Sequence, residues 1–285
     1  MMKIDQSRYP LLYKLAQGAD WLGTDEFHTL VGIGGGGLWE TWLGFVAVNG
    51  GLGHYASRLK GPKDQCAIAF NEIAVAHFLV TECRLLILGW QVPGAHSMLG
   101  EFLVGFDASR PIFVEVKSPR WQAEIARAHG DSHPRLQMPK YVGIEARATN
   151  PWASLEYAVM KAYPKMPDDM PTLLVINDDL FMSLADWAAI TQDIGLYTPK
   201  SRLNPGGGAF ADNRYERLGG IGVLKVNVDT PFRGVRHAFA LFENPHALPT
   251  VALPPKVTEG YPRHNRAPAS SLPGGELWFA DLLKG

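Results

Sequence analysis

Gly100-Glu101-Phe102-Leu103-Val104-Gly105-Phe106-Asp107-Ala108-Ser109-Arg110-Pro111-Ile112-Phe113-Val114-Glu115-Val116-Lys117 decides the fold class. Its even positions Phe102, Val104, Phe106, Ile112, Val114 and Val116 are all apolar. A period of two predicts strands, and Asp107 to Pro111 supplies the turn residues between them. In an antiparallel pair, residues directly opposite each other share a face. One register gathers every even-numbered apolar residue on one face: Asp107 opposite Pro111, Leu103 opposite Glu115, Glu101 opposite Lys117. A slip of one residue would mix the faces. Glu101, Glu115 and Lys117 then share the other, non-core face. Glu115 and Lys117 stand about 6.6 Å apart along their strand, and Asp107 about 13 Å from Glu115. That is too far for Asp107 to share one ion with Glu115, so Asp107 reads as a turn residue.

Working outward, Asp64 to Arg84 reads as a mostly apolar helix. It carries Glu72, whose neighbours one turn away are Ile68, Ala69, Val75 and Ala76. A carboxylate on an apolar face is costly unless it is paired or binds a metal. An ion pair on the helix and a role in a site are both open for Glu72. Downstream, Asn150 caps an expected helix over 151–163 with Pro151 in its first turn. Thr172 to Asn177 reads as a buried strand, Ser183 to Ile194 as a helix, and the glycine-rich 201–220 as a loop. Gly222 to Val228 and Val235 to Phe242 read as two further strands.

Upstream, Gly32-Ile33-Gly34-Gly35-Gly36-Gly37 satisfies G-x-G-x-x-G. A dinucleotide site also needs a preceding strand and an acid about 20 residues on. Phe27 to Val31 could serve as the strand, but no acid stands between Glu40 and Asp64. A flexible glycine loop is the better reading. The division expected is an N-terminal extension over 1–60 packed on the core, an α/β core over 61–250, and a Pro-rich tail over 251–285 ending in a short helix.

Composition narrows the function classes. The 285 residues are 46% hydrophobic and 19% charged, ordinary for a globular chain. The longest apolar stretch, Ala74 to Trp90, is interrupted by His77, Glu82 and Arg84, too polar to span a bilayer. Two cysteines cannot build a disulfide framework or a four-cysteine zinc site. These features predict a reduced, soluble, cytoplasmic protein with no membrane partner. With 27 Lys+Arg against 28 Asp+Glu, bulk electrostatics does not mark a nucleic-acid binder. A local basic excess does occur between Lys117 and Arg147, where a short basic surface is possible, but a solvated loop of mixed charge is the better reading.

An acid, then acid-x-Lys on a strand, preceded by a helix bearing a Glu, resembles the PD-(D/E)XK nuclease superfamily. Glu101 stands where the first acid usually does, Glu115-Val116-Lys117 is the (D/E)-x-K half, and Glu72 matches the helix Glu. Here Glu replaces Asp at the first position and the Pro is absent. The resemblance implies a restriction-endonuclease-like core, a central mixed β-sheet flanked by helices, with the N-terminal extension as an embellishment. It implies Mg²⁺ (or Mn²⁺) held by Glu101, Glu115 and the backbone carbonyl of Val116, with Glu72 on metal-bound water. Lys117 would act on the attacking water and the charge developing on phosphorus. The reaction implied is phosphodiester hydrolysis in DNA, or less readily RNA; a homodimer is compatible with it. The other class left open is a nuclease-like scaffold or binding module with a degraded site.

Overall fold

A computed structural model describes residues 4–118, 158–177, 215–228, 235–244 and 246–251, with Phe210 and Leu253. The helix over 183–194, the tail helix, the start of the 151–163 helix and most of the basic stretch lie outside the described residues.

Five helices come first: α1 (Pro10–Ala16), α2 (Asp25–Leu30), α3 (Gly36–Val48), α4 (Leu52–Lys60) and α5 (Lys63–Thr81). Six strands follow: β1 (Leu86–Trp90), β2 (Phe102–Gly105), β3 (Pro111–Lys117), β4 (Thr172–Asn177), β5 (Gly220–Val228) and β6 (Val235–Glu243). They form one mixed sheet in sequential order, β1 to β6. β1, β2 and β3 are an antiparallel meander. β3, β4 and β5 run parallel, and β6 returns antiparallel. Parallel neighbours need long crossovers, and residues 158–162, on the β3–β4 crossover, are helical. The protein is α/β, with helices packed on a mixed sheet.

α5 is buried nearly all round because it serves two cores. Cys66, Ala69, Phe70 and Ile73 face a helical core with Leu12, Leu22, Phe27, Leu43, Tyr55 and Leu59. Val75, Phe78 and Leu79 face the sheet, against Phe102, Val104, Val114, Leu173, Val175 and Phe239. The even-numbered residues of the hairpin therefore do point into a core. The opposite face, expected to lie outside the core, is covered too: Phe113, Glu115, Leu174 and Ile176 are fully buried there. Parallel strands covered on both faces have this character.

The hairpin register differs from the expected one by two residues: Leu103 pairs with Phe113 and Gly105 with Pro111. The faces survive because the shift is even. The cause is the turn. Asp107 Oδ1 accepts from the Ser109 amide and hydroxyl, and Oδ2 from Arg110. This builds a five-residue turn, 106–110, over Gly105. A Cβ on Gly105 would lie 2.6 Å from the Arg110 carbonyl oxygen, so the close approach requires glycine there.

The glycine run is helical rather than a loop. One wide π turn, Val31–Gly35, leads into α3. Phe27 to Val31 is not a strand either, since α2 covers most of it. Glycines in a helix cost about 1 kcal/mol each. Packing offsets this at Gly36, where a Cβ would sit 2.8 Å from the Tyr9 ring and the Val31 side chain. No helix among the described residues is long and apolar enough to cross a membrane.

Candidate functional site

The helical layer reaches the sheet at Trp90, the last residue of β1. Its indole Nε1 donates to the Asn49 carbonyl at 2.8 Å, and its ring packs edge-on against Tyr55 and Phe102. A Cβ on Gly51 would lie 2.6 Å from that ring, so the α3–α4 corner sits directly on it. This docking carries α4 over the N-terminal end of β2. His54 and Arg58, one turn apart, share a face of α4.

Arg58 reaches Glu72 on α5. Its two terminal nitrogens donate to the two Glu72 oxygens at 2.7 and 2.5 Å. Glu72 is 2% exposed, so an ion pair answers the cost that its apolar surroundings impose. Tyr55, fully buried on the same helix, ends beside the Glu72 carboxylate without reaching full hydrogen-bond geometry. Burial, then the charge of Glu72, holds its hydroxyl well above the usual tyrosine range.

Glu101 enters from just before β2. Its amide donates to the Val114 carbonyl at 3.2 Å, placing it beside Val114 rather than across from Lys117. Its carboxyl is pushed up to about 7, first by burial and then by the Glu72 charge; Lys165, Arg58 and Lys117 act in the opposite sense. One ligand atom each from His54, Glu72 and Glu101 lie within 4.8 Å of one another. His54 Nε2 is shielded from solvent and has no hydrogen-bond partner. Burial and the Arg58 charge pull His54 below its ordinary value, towards the neutral imidazole.

The other half of the cluster is on β3. Glu115 is fully buried, and its Oε1 accepts from Lys117 Nζ at 2.5 Å and from Lys165 Nζ at 2.6 Å. Lys165 ends the short 3₁₀ turn Tyr163–Lys165, fifty residues further along the chain. Glu115 Oε2 is buried without a hydrogen-bond partner. Burial raises the Glu115 carboxyl, and the lysines oppose it. Val116 turns its side chain into the sheet core. Asp107 sits in its turn, half-exposed, its carboxyl held well below the usual range by hydrogen bonds from Ser109.

No family model, curated protein or solved structure matches this chain. The site therefore stands on its own chemistry. It joins Glu72 to Glu101 and Glu115 to Lys117, and the charges of Lys117 and Lys165 reach Glu101. Sequence reading missed His54, Arg58 and Lys165. For the first two a signal existed: a His and an Arg four residues apart on a helix share a face. For Lys165 there was none.

Proposed function

We propose that the chain is a metal-dependent phosphodiesterase acting on nucleic acid, with Glu72, Glu101, Glu115 and Lys117 as its working residues. The observation that carries this reading is the pairing of Glu72 on α5 with Glu101 just before β2, reached by the charges of Lys117 and Lys165, the two lysines that hold Glu115 on β3. The order helix, three-strand meander, helical crossover and parallel strand is what the PD-(D/E)XK resemblance implies for a restriction-endonuclease-like core.

The donor set fits a divalent cation. Burial and then the neighbouring Glu72 charge raise the Glu101 carboxyl, and Glu115 has a buried oxygen without a hydrogen-bond partner. Hard cations take carboxylate and carbonyl oxygens, so Glu101, Glu115 and the Val116 carbonyl would hold Mg²⁺ or Mn²⁺, with Glu72 behind them. What the cation supplies when bound is polarisation of a phosphate oxygen and a lowered pKa for its water.

The protein's own part is the placement of charge. Glu115 needs one ammonium for neutrality and has two. The second is therefore left for an anion, and a phosphodiester oxygen is the anion the resemblance implies. Lys117 would turn from Glu115 Oε1 to the attacking water and the phosphate, and Lys165 would keep Glu115 neutral meanwhile. Arg58 holds Glu72 in one orientation. A Lys aimed at charge that grows in the transition state acts on rate more than on binding.

A second reading, a scaffold with a degraded site, has one observation behind it. Arg58, Lys117 and Lys165 match Glu72, Glu101 and Glu115 in number, so the cluster is charge-balanced without a cation. Purified protein incubated with Mg²⁺ or Mn²⁺ and with single-stranded and duplex DNA and RNA at low ionic strength separates the two. The nuclease reading expects cleavage that Lys117→Ala removes while metal binding persists. Bound metal with no cleavage of any substrate would establish the scaffold.

A further inference from the structure

We propose that the ion of this site is a first-row transition ion held through nitrogen, with His54 Nε2 as a ligand beside Glu101 and Glu72, and that Mn²⁺ binds there in preference to Mg²⁺. This rests on the reading of Glu101 as a cation ligand, moves Glu72 from behind the ion into its ligand set, and adds what the all-oxygen version lacks, a nitrogen donor from the N-terminal helical layer.

The geometry comes first. Ligands about 2.1 Å from a common ion stand about 3 to 4.2 Å apart. The three candidate atoms lie within 4.8 Å of one another, near that spacing. They come from three different elements, α4, α5 and the approach to β2, and Trp90 packing holds α4 in place.

Unmet bonding at the same spot is the second, independent observation. His54 Nε2 is shielded from water and unpartnered, and the fully buried Tyr55 hydroxyl ends beside Glu72, also unpartnered. Buried polar groups are nearly always satisfied, so two orphans at one carboxylate pair point to a missing bonding partner. Arg58 does not close the site. Its two bonds use one acceptor position on each Glu72 oxygen, and a carboxylate offers about four.

The choice of ion follows from the donors. Mg²⁺ favours oxygen and keeps several waters, whereas imidazole suits the transition metals. One nitrogen with two carboxylates is a mixed set on which Mn²⁺ outcompetes Mg²⁺.

The test is a titration of the full chain with Mn²⁺, reading free ion by electron paramagnetic resonance and bound ion by electron spin-echo modulation. The expected spectrum of the bound ion carries modulation from a directly coordinated nitrogen. His54→Gln should remove the modulation and weaken Mn²⁺ binding at least about tenfold. Mg²⁺ should displace Mn²⁺ only in large excess. A wild-type spectrum without nitrogen modulation would overturn the inference, as would Mg²⁺ competing on equal terms, or no Mn²⁺ bound. The wild-type spectrum needs no variant, so a poorly folding His54→Gln leaves the test intact. Mg²⁺-supported cleavage that Lys117→Ala abolishes and His54→Gln leaves alone would sink the nitrogen ligand and keep the nuclease reading. Mn²⁺ held through nitrogen with no cleavage of DNA or RNA would do the reverse.

Discussion

The two halves of the cluster solve opposite problems. On β3, one buried carboxylate, Glu115, is shared by two lysines. Between α5 and β2, two carboxylates, Glu72 and Glu101, lie beside one arginine. The first half has positive charge to spare and the second has negative charge to spare. A site built this way has a place for an anion next to a place for a cation. The difference teaches which readout belongs to which half: the lysines should govern rate, the carboxylates ion binding and stability.

The largest expected effect breaks the comparison at the lysine half. Lys117→Ala should lower single-turnover cleavage roughly a thousandfold, about 4 kcal/mol, with Mn²⁺ affinity nearly unchanged. A matching loss of metal affinity would show that the halves do not divide the work.

Next comes Arg58→Ala, which leaves Glu72 buried and without its ion pair. Removing one partner of such a pair costs about 3 kcal/mol, read by urea denaturation. An effect under about 1 kcal/mol would mean that Lys117 or Lys165 already neutralises this half as well.

The Glu101 carboxyl sharpens the comparison through pH. Its folded value, about 7, is above the 4.5 of the free side chain. The folded state therefore binds this proton more tightly, and stability falls as pH rises from about 4.5 through 7. On the order of 2 kcal/mol should be lost across that window, after allowance for partial exposure, and Glu101→Gln should flatten the slope. Saturating Mn²⁺ should flatten it too.

The scaffold that holds α4 gives a smaller effect with a sign. Gly36→Ala should destabilise by about 1–2 kcal/mol because its Cβ meets Tyr9 and Val31. Gly37→Ala meets open space and should stabilise by about 0.5–1 kcal/mol through helix propensity. Thermal melts of the two variants read both. Smallest of all, Asp107→Asn should leave Mn²⁺ affinity within about twofold.

Much of this was legible in the chain itself. β2, β3, β4 and α5 follow from local hydrophobic period, which depends on residues that touch within a strand or a turn. Glu72, Glu115 and Lys117 could be singled out because charged groups in apolar surroundings are costly wherever they fall. Asp107 as a turn residue followed from turn chemistry, and the structure adds the hydrogen bonds that make it one.

What sequence left open, only long-range packing decided. Two registers put the same residues on the same faces of the hairpin, and the choice between them came from how tightly a turn closes over Gly105. Glycines read as chain breakers, yet Gly36 is helical because Tyr9, far back in the chain, needs the space of a missing Cβ. Residues 1–60 read as an extension, but Trp90 against Gly51 turns α4 onto the sheet and brings His54 and Arg58 into the cluster. Lys165 meets Glu115 only because β3 and β4 pair in parallel, which requires the chain between them to cross back over the sheet. Local periodicity sets which face a side chain takes. Which distant side chain meets it there is a property of how the elements pack, and in this protein that packing made the site.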